Sequence, residues 1–297
     1  EMSHRSSLFQ DIFDSAKAKL KAALQVPDSH EILFLQGGAT LQFAAIPMNL
    51  IEGGCADYAV TGNFSGKAAK EAEKYGSVHI ACDSAASGHD HIPVQSELAL
   101  SGDAKYFYYC SNNTVYGTEW QYVPQTRAPL VCDMSSDILS RPVDVAKYGL
   151  IYAGAQKNMA PAGLTVVILN KSLAGRELPF TPSVMSYKTL IASDSLLNTP
   201  PCWCIYMLGL VLDWLETQGG LAGMEQIKRE RAARVRLSGR EPPVQGPRPG
   251  GFPQRHERDL PHRRPCAGRR IHKGRCGQRT FEPEGPQGGG GHEGLPV

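Results

Sequence analysis

The chain has 297 residues, of which 41% are hydrophobic and 20% are charged, and its formal net charge is +2. This length and composition suffice for a large domain with a substantial core, and they exclude a chain that is disordered throughout. No apolar run reaches the roughly 20 residues needed to cross a bilayer, and the first residues lack a secretory pattern, so we expect a cytoplasmic protein.

Charge and composition change sharply along the chain. Residues 1–233 carry 18 Lys and Arg against 23 Asp and Glu, whereas residues 234–297 carry 13 against 6. The second segment also holds 13 of the 31 glycines and 10 of the 21 prolines. Such a composition cannot offset chain entropy by burying apolar surface. We therefore expect a folded domain over 1–233 and a largely unstructured tail over 234–297.

Up to residue 233, short apolar runs alternate with amphipathic stretches, which is typical of βαβ units around a mostly parallel sheet. The predicted strands are Ile32–Leu35, Tyr58–Val60, Val78–Ala81, Tyr106–Cys110, Leu130–Cys132, Leu150–Tyr152 and Thr165–Leu169. The predicted helices are Asp11–Leu24, Lys67–Tyr75 and Trp203–Thr217, and another helix opens after Gly37-Gly38. In such α/β patterns the functional loops follow the carboxyl ends of the strands.

Three chemically informative positions follow predicted strands. Residues 37–40 (Gly-Gly-Ala-Thr) form a turn that opens a helix, where free N–H groups favour a phosphate. Asp133 directly follows an apolar run, and a carboxylate there can keep a pyridine nitrogen protonated. Lys157 lies in a small-residue loop, and its amine can bond covalently to an aldehyde. Each feature alone has an ordinary explanation as a turn, a cap or a surface charge, but their order indicates a type I pyridoxal phosphate fold.

Four longer segments resemble the phosphoserine aminotransferase family of class V aminotransferases. They are MSHRS (2–6), DMSSDILSRPVDVAKYGLIYAGAQKN (133–158), PAGLTVVI (161–168) and LNTPP (197–201), and the resemblance runs through about residue 233. The resemblance implies a type I PLP-dependent transferase fold, with a mostly parallel sheet flanked by helices. It also implies that pyridoxal 5'-phosphate is the cofactor and that glutamate and 3-phosphohydroxypyruvate are converted to phosphoserine and 2-oxoglutarate in serine biosynthesis.

The resemblance also assigns roles to matching positions. Lys157 would carry the cofactor as the catalytic lysine, and Asp133 would pair with the ring nitrogen. The remaining cofactor contacts that it implies within one chain are Ala39, Thr40, Phe64, Thr114 and Gln156. Of these, Phe64 stands where the family has a stacking tryptophan, and an aromatic face can preserve that contact.

Two further pairs of residues follow from the same resemblance. Asn198 and Thr199 would reach the cofactor of a neighbouring subunit, which implies a homodimer. His4 and Arg5 would belong to the substrate pocket, where an arginine suits a carboxylate or phosphate. We assign no metal, because the two histidines of residues 88–91 (Gly-His-Asp-His) are better explained as solvated polar side chains, and we expect no membrane or nucleic-acid partner.

The chain departs from the family at both ends. Neither the short segment before MSHRS nor the C-terminal small domain is recognisable, so we expect an N-terminally truncated large domain and a missing or scrambled small domain. Reading each codon of residues 283–287 from its second base permits Leu-Lys-Gly-His-Arg, and residues 291–295 permit Gly-Met-Arg-Ala-Ser, both family-like. We therefore hypothesise a frameshift near Ala233. It would replace substrate ligands by Pro286, Gln287 and Glu293 and would cost about 1.5–3 kcal/mol per lost charged contact.

Three alternatives remain open at this point. The chain could be another class V enzyme, such as a desulfurase or an alanine-type aminotransferase, although a desulfurase needs a mobile catalytic cysteine. It could be a cofactor-binding remnant without full catalytic activity. The basic tail could also bind nucleic acid through phosphates, but it lacks interleaved aromatic residues and a recognition motif.

Overall fold

The computed structural model describes the backbone of residues 3–238 and the side chains of residues 3–232. The predictions for residues 239–297, including the frameshift and the replaced ligands, lie outside the described residues. The elements in chain order are α1 (Ser7–Ala23), β1 (His30–Leu35), α2 (Gly38–Leu50), β2 (Cys55–Val60), α3 (Asn63–Ala72), β3 (Ser77–Asp83), β4 (Phe107–Cys110), β5 (Asn112–Asn113), β6 (Thr118–Glu119), β7 (Leu130–Asp133), β8 (Leu150–Gly154), β9 (Thr165–Asn170), α4 (Tyr187–Ala192), α5 (Cys202–Thr217) and α6 (Gly220–Ser238).

Seven strands form one mixed sheet in the order β1-β9-β8-β7-β4-β2-β3. The five strands from β8 to β3 pair in parallel, and β9 runs antiparallel to both of its neighbours. The central strands β4, β7 and β8 are buried along their whole length. This is expected of parallel strands that are covered on both faces. The mostly parallel sheet predicted from the sequence is therefore confirmed.

Two apolar clusters cover the two faces of the sheet. One contains buried side chains of α1 and α5, and the other contains buried side chains of α2, α3 and α4. Neighbouring residues of one strand contribute to opposite clusters, as Leu33 and Phe34 of β1 do. This follows from the two-residue period of a strand. The result is a three-layer arrangement in which the sheet is enclosed by helices and its ends remain accessible to loops.

Helix α1 shows how local sequence selects these elements. Its buried residues Phe9, Phe13, Ala16 and Leu20 recur at intervals of three and four, which places them on one face. The side chain of Ser6 accepts a hydrogen bond from the backbone N–H of Phe9, at 3.2 Å, and so caps the first turn. This cap explains why the helix begins before the predicted residue 11.

The last helix passes the predicted domain boundary. Its backbone continues through Ser238, so residues 234–238 are helical rather than part of an irregular tail. Arginine and leucine in this stretch are good helix formers, and the next glycine comes only at residue 239. Within residues 3–238, no helix has both the length and the hydropathy needed to span a bilayer.

Candidate active site

The carboxyl ends of the three central parallel strands meet at one edge of the sheet. Cys110 at the end of β4 lies opposite Asp133 at the end of β7, and Asp133 lies opposite Tyr152 of β8. The chain then continues into loops that carry Thr114 and Lys157. Parallel pairing therefore gathers residues that are far apart in sequence at one edge, as expected for α/β sheets.

Asp133 is the buried acid of this group. Its Oδ1 accepts a hydrogen bond from the backbone N–H of Ser135 at 2.9 Å, and its Oδ2 accepts one from the hydroxyl of Tyr152 at 3.0 Å. Burial raises the pKa of the Asp133 carboxyl, and these hydrogen bonds together with the charge of Lys157 act in the opposite direction. The carboxyl is therefore fixed in orientation and lies in an environment that favours a nearby cation.

Lys157 lies at the surface of the same edge. Its Nζ donates a hydrogen bond to Oγ1 of Thr114 at 2.9 Å and lies 5.4 Å from the centre of the Phe64 ring. The ring of Phe64 is 38% exposed, so its face can receive a planar ligand. The structure thus brings together Lys157, Thr114, Phe64 and Asp133, all four of which were singled out from the sequence.

A buried polar network holds the loop of Thr114 against the start of α3, which carries Phe64. The side-chain amide of Asn113 donates to the hydroxyls of Thr61, at 3.1 Å, and Thr118, at 2.9 Å. The hydroxyl of Ser65 accepts from the backbone N–H groups of Thr61 and Gly62, both at 3.1 Å. A Cβ at Gly62 would lie 2.7 Å from Oδ1 of Asn113, so only glycine allows the close approach.

The turn before α2 approaches the same edge from the neighbouring side. Gly37 and Gly38 have φ values of +91° and +69°, which favour glycine. A Cβ at Gly154 would lie 2.7 Å from Oε1 of Gln156 and 3.2 Å from the Cβ of Ala39. Gln156 and Ala39 therefore converge over the end of β8, beside the backbone N–H groups at the start of α2.

Asn198 and Thr199 lie next to Gln36, the residue before this turn. The side-chain amide of Asn198 donates to Oε1 of Gln36 at 3.4 Å, and Gln36 donates to the backbone carbonyl of Thr199. Both residues are exposed. Asn198 and Gln36 also line a cavity of about 360 Å³ between α2 and α4. Within the described residues, no hydrogen bond joins either side chain to Lys157 or Asp133.

His4 and Arg5 lie in the turn that precedes α1, and Arg5 is exposed. The backbone N–H of Arg5 donates to the hydroxyl of Ser3 at 3.2 Å. In the part of the chain that the structure describes, no ion pair or side-chain hydrogen bond connects them to the Lys157 group. Their substrate role remains a prediction. In residues 3–238 no group of three or more His, Cys, Asp or Glu side chains is arranged to hold a metal ion.

The sequence did not identify two tyrosines that support the acid. Tyr152 donates to Asp133, and its oxygen lies 2.7 Å from the hydroxyl of Tyr108. Tyr108 is 1% exposed. The sequence shows that Tyr152 lies near the end of a predicted strand, but its hydrogen bond to Asp133 depends on the register between the two strands. Register was not readable from the apolar runs.

Comparisons with known proteins agree with this arrangement. The family profile described as aminotransferase class-V matches residues 1–238. The phosphoserine aminotransferase of Laribacter hongkongensis (strain HLHK9) is 50% identical over 233 residues, which cover 78% of this chain and 65% of that protein. This chain therefore spans about 65% of the length of the curated relatives that it matches first.

Two solved structures share the fold. Phosphoserine aminotransferase from Bacillus circulans subsp. alkalophilus is 43% identical, with a TM-score of 0.77, covering 80% of this chain and 66% of that one. PLP-bound phosphoserine aminotransferase from Trichomonas vaginalis is 41% identical, with a TM-score of 0.76, covering 79% of this chain and 71% of that one. The regions aligned with these two structures therefore cover nearly all the residues that the structure describes.

Proposed function

The chain belongs to the class V aminotransferase family, and we propose that it is a pyridoxal-phosphate-dependent phosphoserine aminotransferase. Its reaction would transfer the amino group of glutamate to 3-phosphohydroxypyruvate and so form phosphoserine and 2-oxoglutarate, a step of serine biosynthesis. One observation carries the proposal. The amine of Lys157, which is hydrogen-bonded to Thr114, and the buried carboxyl of Asp133 lie at the same edge of the sheet.

The residues present fit pyridoxal phosphate at its ring. Asp133 is a buried carboxyl whose ionised form is penalised by desolvation, and a protonated ring nitrogen would offset that penalty. The partly exposed face of Phe64 offers a stacking surface beside the amine of Lys157. Acid, amine and aromatic face are the set of groups that such a ring requires.

The residues also fit the phosphate of the cofactor. Helix α2 has 13 residues and begins at the Gly37-Gly38 turn, and its first N–H groups form a partial positive charge. Ala39 is half-buried and Thr40 is exposed at the start of this helix, and the side-chain amide of Gln156 lies beside Ala39 around Gly154. We assign Ala39, Thr40 and Gln156 to the phosphate on this basis.

The proposed mechanism follows from these positions. Bound pyridoxal phosphate would supply an aldehyde that captures amines and an electron-poor ring that stabilises charge at the substrate Cα. The carboxylate of Asp133 would hold a proton on the ring nitrogen. The Nζ of Lys157 would hold the cofactor and, once free, accept the proton of the substrate Cα and return it during transfer. Thr114 would orient that amine through the hydrogen bond already present.

We further propose a homodimer in which Asn198 and Thr199 of one chain contact the cofactor of the other. Both side chains are exposed in the single chain, so they are available to a second copy. We also propose a cytoplasmic location. The six cysteines in the described part of the chain are free, as a reducing compartment favours.

A second candidate is a cofactor-binding protein with impaired turnover. It is favoured by the composition of residues 234–297, where the family resemblance would place further substrate ligands. His4 and Arg5 would then be the remaining substrate contacts. The two candidates agree on cofactor binding and differ in whether glutamate is converted.

The test uses the purified full-length chain with added pyridoxal phosphate. We expect a visible absorbance band that borohydride abolishes, because hydride reduces the imine to a stable secondary amine, and the resulting covalent label should be mapped by peptide mass spectrometry to Lys157. Lys157→Ala should lose both the band and the label, whereas Lys147→Ala, a change at an exposed lysine before β8, should retain them. An unlabelled parent chain would contradict the proposal. A glutamate-dependent assay of 3-phosphohydroxypyruvate consumption then separates the enzyme from the impaired binder.

A further inference from the structure

A buried hydrogen-bond chain lies behind the acid of the proposed active site. The hydroxyl of Tyr152 lies 3.0 Å from Oδ2 of Asp133 and 2.7 Å from the hydroxyl of Tyr108. Both tyrosines are within 1% of complete burial. They lie on β8 and β4, the strands that flank β7 with its terminal Asp133.

The direction of these hydrogen bonds follows from the chemistry of the groups. Burial raises the pKa of both tyrosines well above the ordinary value, so both keep their protons. An ionised Asp133 can only accept hydrogen bonds, so the single O–H group of Tyr152 must donate to it. Tyr108 must then donate to the oxygen of Tyr152. The chain therefore runs from Tyr108 through Tyr152 to the carboxylate, and each donor strengthens the next.

Tyr152 is not the sole donor to Asp133: the hydroxyl of Ser135, which accepts from the backbone N–H of Gly154 at 2.9 Å, also lowers the pKa of this carboxyl, and it is unchanged in the tyrosine variants. The backbone N–H of Ser135 is bonded to the other oxygen, Oδ1. The thiol of Cys110 lies 3.9 Å from Oδ2 and is a weak donor. Lys157 is the one cation that acts on the carboxyl among the described residues, but it is exposed and bonded to Thr114, so solvent screens its charge.

We propose that Tyr152, supported by Tyr108, is a positioning residue that keeps the Asp133 carboxylate charged and aimed at the cofactor ring. This inference rests on the proposed function for the identity of the ring. The phenol and the Ser135 amide together fix both oxygens, so the carboxylate cannot rotate. Neither tyrosine needs to touch the cofactor or the substrate.

The chain offers a matched control for removing a buried tyrosine hydroxyl. Tyr109 lies on the same strand as Tyr108, is equally buried, and is hydrogen-bonded to the hydroxyl of Tyr148 at 3.1 Å. Its side chain belongs to the apolar cluster on the other face of the sheet. Tyr109→Phe therefore removes a comparable hydroxyl without touching the chain that leads to Asp133.

The first measurement uses the full chain without cofactor. Infrared difference titration, with Asp133→Asn identifying the band, follows protonation of the Asp133 carboxyl. Loss of one hydrogen bond to a charged group should move the midpoint upwards by about 1 pH unit in Tyr152→Phe. Tyr108→Phe should move it in the same direction by less, and Tyr109→Phe should not move it. A Tyr152→Phe midpoint equal to that of the parent would overturn the proposal.

The second measurement adds pyridoxal phosphate. Tyr152→Phe should weaken binding about tenfold, and it should lower the pH at which the visible absorbance reports loss of the ring-nitrogen proton. Equal affinity and an equal pH profile in Tyr152→Phe and the parent would contradict the inference. If the parent binds no cofactor, the proposed function fails, while the cofactor-free titration still decides the role of Tyr152. If Tyr152→Phe does not fold, the comparison of Tyr108→Phe with Tyr109→Phe decides it.

Discussion

Asp137 is a second buried acid, four residues after Asp133, and its protonation makes the stability of the fold depend on pH. Its carboxylate accepts a hydrogen bond from the hydroxyl of Ser111, and that hydroxyl also lies 3.0 Å from the backbone carbonyl of Asp133. Arg141 lies 3.6 Å away. Burial nevertheless raises the pKa of Asp137 to about 6, because the arginine and the hydroxyl only partly offset the loss of hydration.

The raised pKa of Asp137 predicts how stability changes with pH. The folded state holds this proton more tightly than the unfolded state does, so its contribution to the free energy of unfolding is complete below the ordinary aspartate pKa of 3.8 and is lost as the pH rises to about 6. The loss is about 3 kcal/mol. Asp137→Asn should therefore flatten the fall in unfolding free energy between these values, as measured by urea denaturation. Asp144→Asn, at an exposed acid, is the control, and an unchanged slope in Asp137→Asn would contradict the assignment.

Gly62 allows a second prediction at the scale of one residue. Its added Cβ would lie 2.7 Å from Asn113 and would displace the amide that joins Thr61 to Thr118. Gly62→Ala should lower the free energy of unfolding by about 1–3 kcal/mol, because overpacking and an unpaired buried amide both destabilise. Thermal and urea denaturation measure this change.

The matched control lies one turn away in α3. A Cβ at Gly66 would meet only Val60, at an ordinary 3.6 Å, so Gly66→Ala should be neutral or should stabilise the helix by about 0.5–1 kcal/mol. If both variants behaved alike, the polar network around Asn113 would not be what makes glycine necessary at position 62.

At the scale of elements, the apolar runs were sufficient to predict every long strand of the sheet. All seven predicted strands occur: six are extended by one to three residues, as β7 is at Asp133, and β4 begins one residue later than predicted, at Phe107. The pair β5 and β6 was missed, because two-residue strands with polar residues show no periodicity. The antiparallel direction of β9 was also not predicted, since an apolar run carries no information about strand direction.

Residues of the candidate site could be predicted from the sequence where a chemically informative side chain follows the end of a predicted strand. Asp133 and Lys157 both met that condition, and the fold places them together. Tyr152, Ser135 and Asn113 did not, because their contacts depend on strand register and on loop conformation. The roles of Asn198 and Thr199 depend on a second chain and stay predictions.

Helix α5 contains a buried and an exposed leucine that allow the contribution of its core-facing side to stability to be measured. Leu208 is fully buried in the cluster shared with α1, whereas Leu210 of the same helix is 44% exposed. Leu208→Ala should lower the free energy of unfolding by about 2–5 kcal/mol through lost burial and a cavity. Leu210→Ala should change it by less than about 1 kcal/mol. Urea denaturation measures both, and equal losses would indicate that α5 packs differently.

At the scale of the whole molecule, the proposed homodimer predicts that each cofactor site combines residues of two chains. Asn198 contacts Gln36 within its own chain through its side chain, whereas Thr199 is held there through its backbone carbonyl. Removing both side chains therefore costs only one described hydrogen bond inside the chain. A defect in cofactor binding in such a variant would reflect the proposed contact rather than a disturbed fold.

Complementation between two defective chains distinguishes action within a chain from action across a dimer. Lys157→Ala and the double variant Asn198→Ala/Thr199→Ala, carrying different tags, can be coexpressed and the heterodimer purified through both tags. If the contacts cross the interface, the Lys157→Ala chain supplies Asn198 and Thr199 to the intact lysine of its partner. The heterodimer should then bind about one cofactor per dimer by absorbance, because one of two symmetric sites is complete. Each homodimer should bind poorly at the same cofactor concentration. If the contacts act within one chain, neither site is complete, and the heterodimer should bind no better than the homodimers.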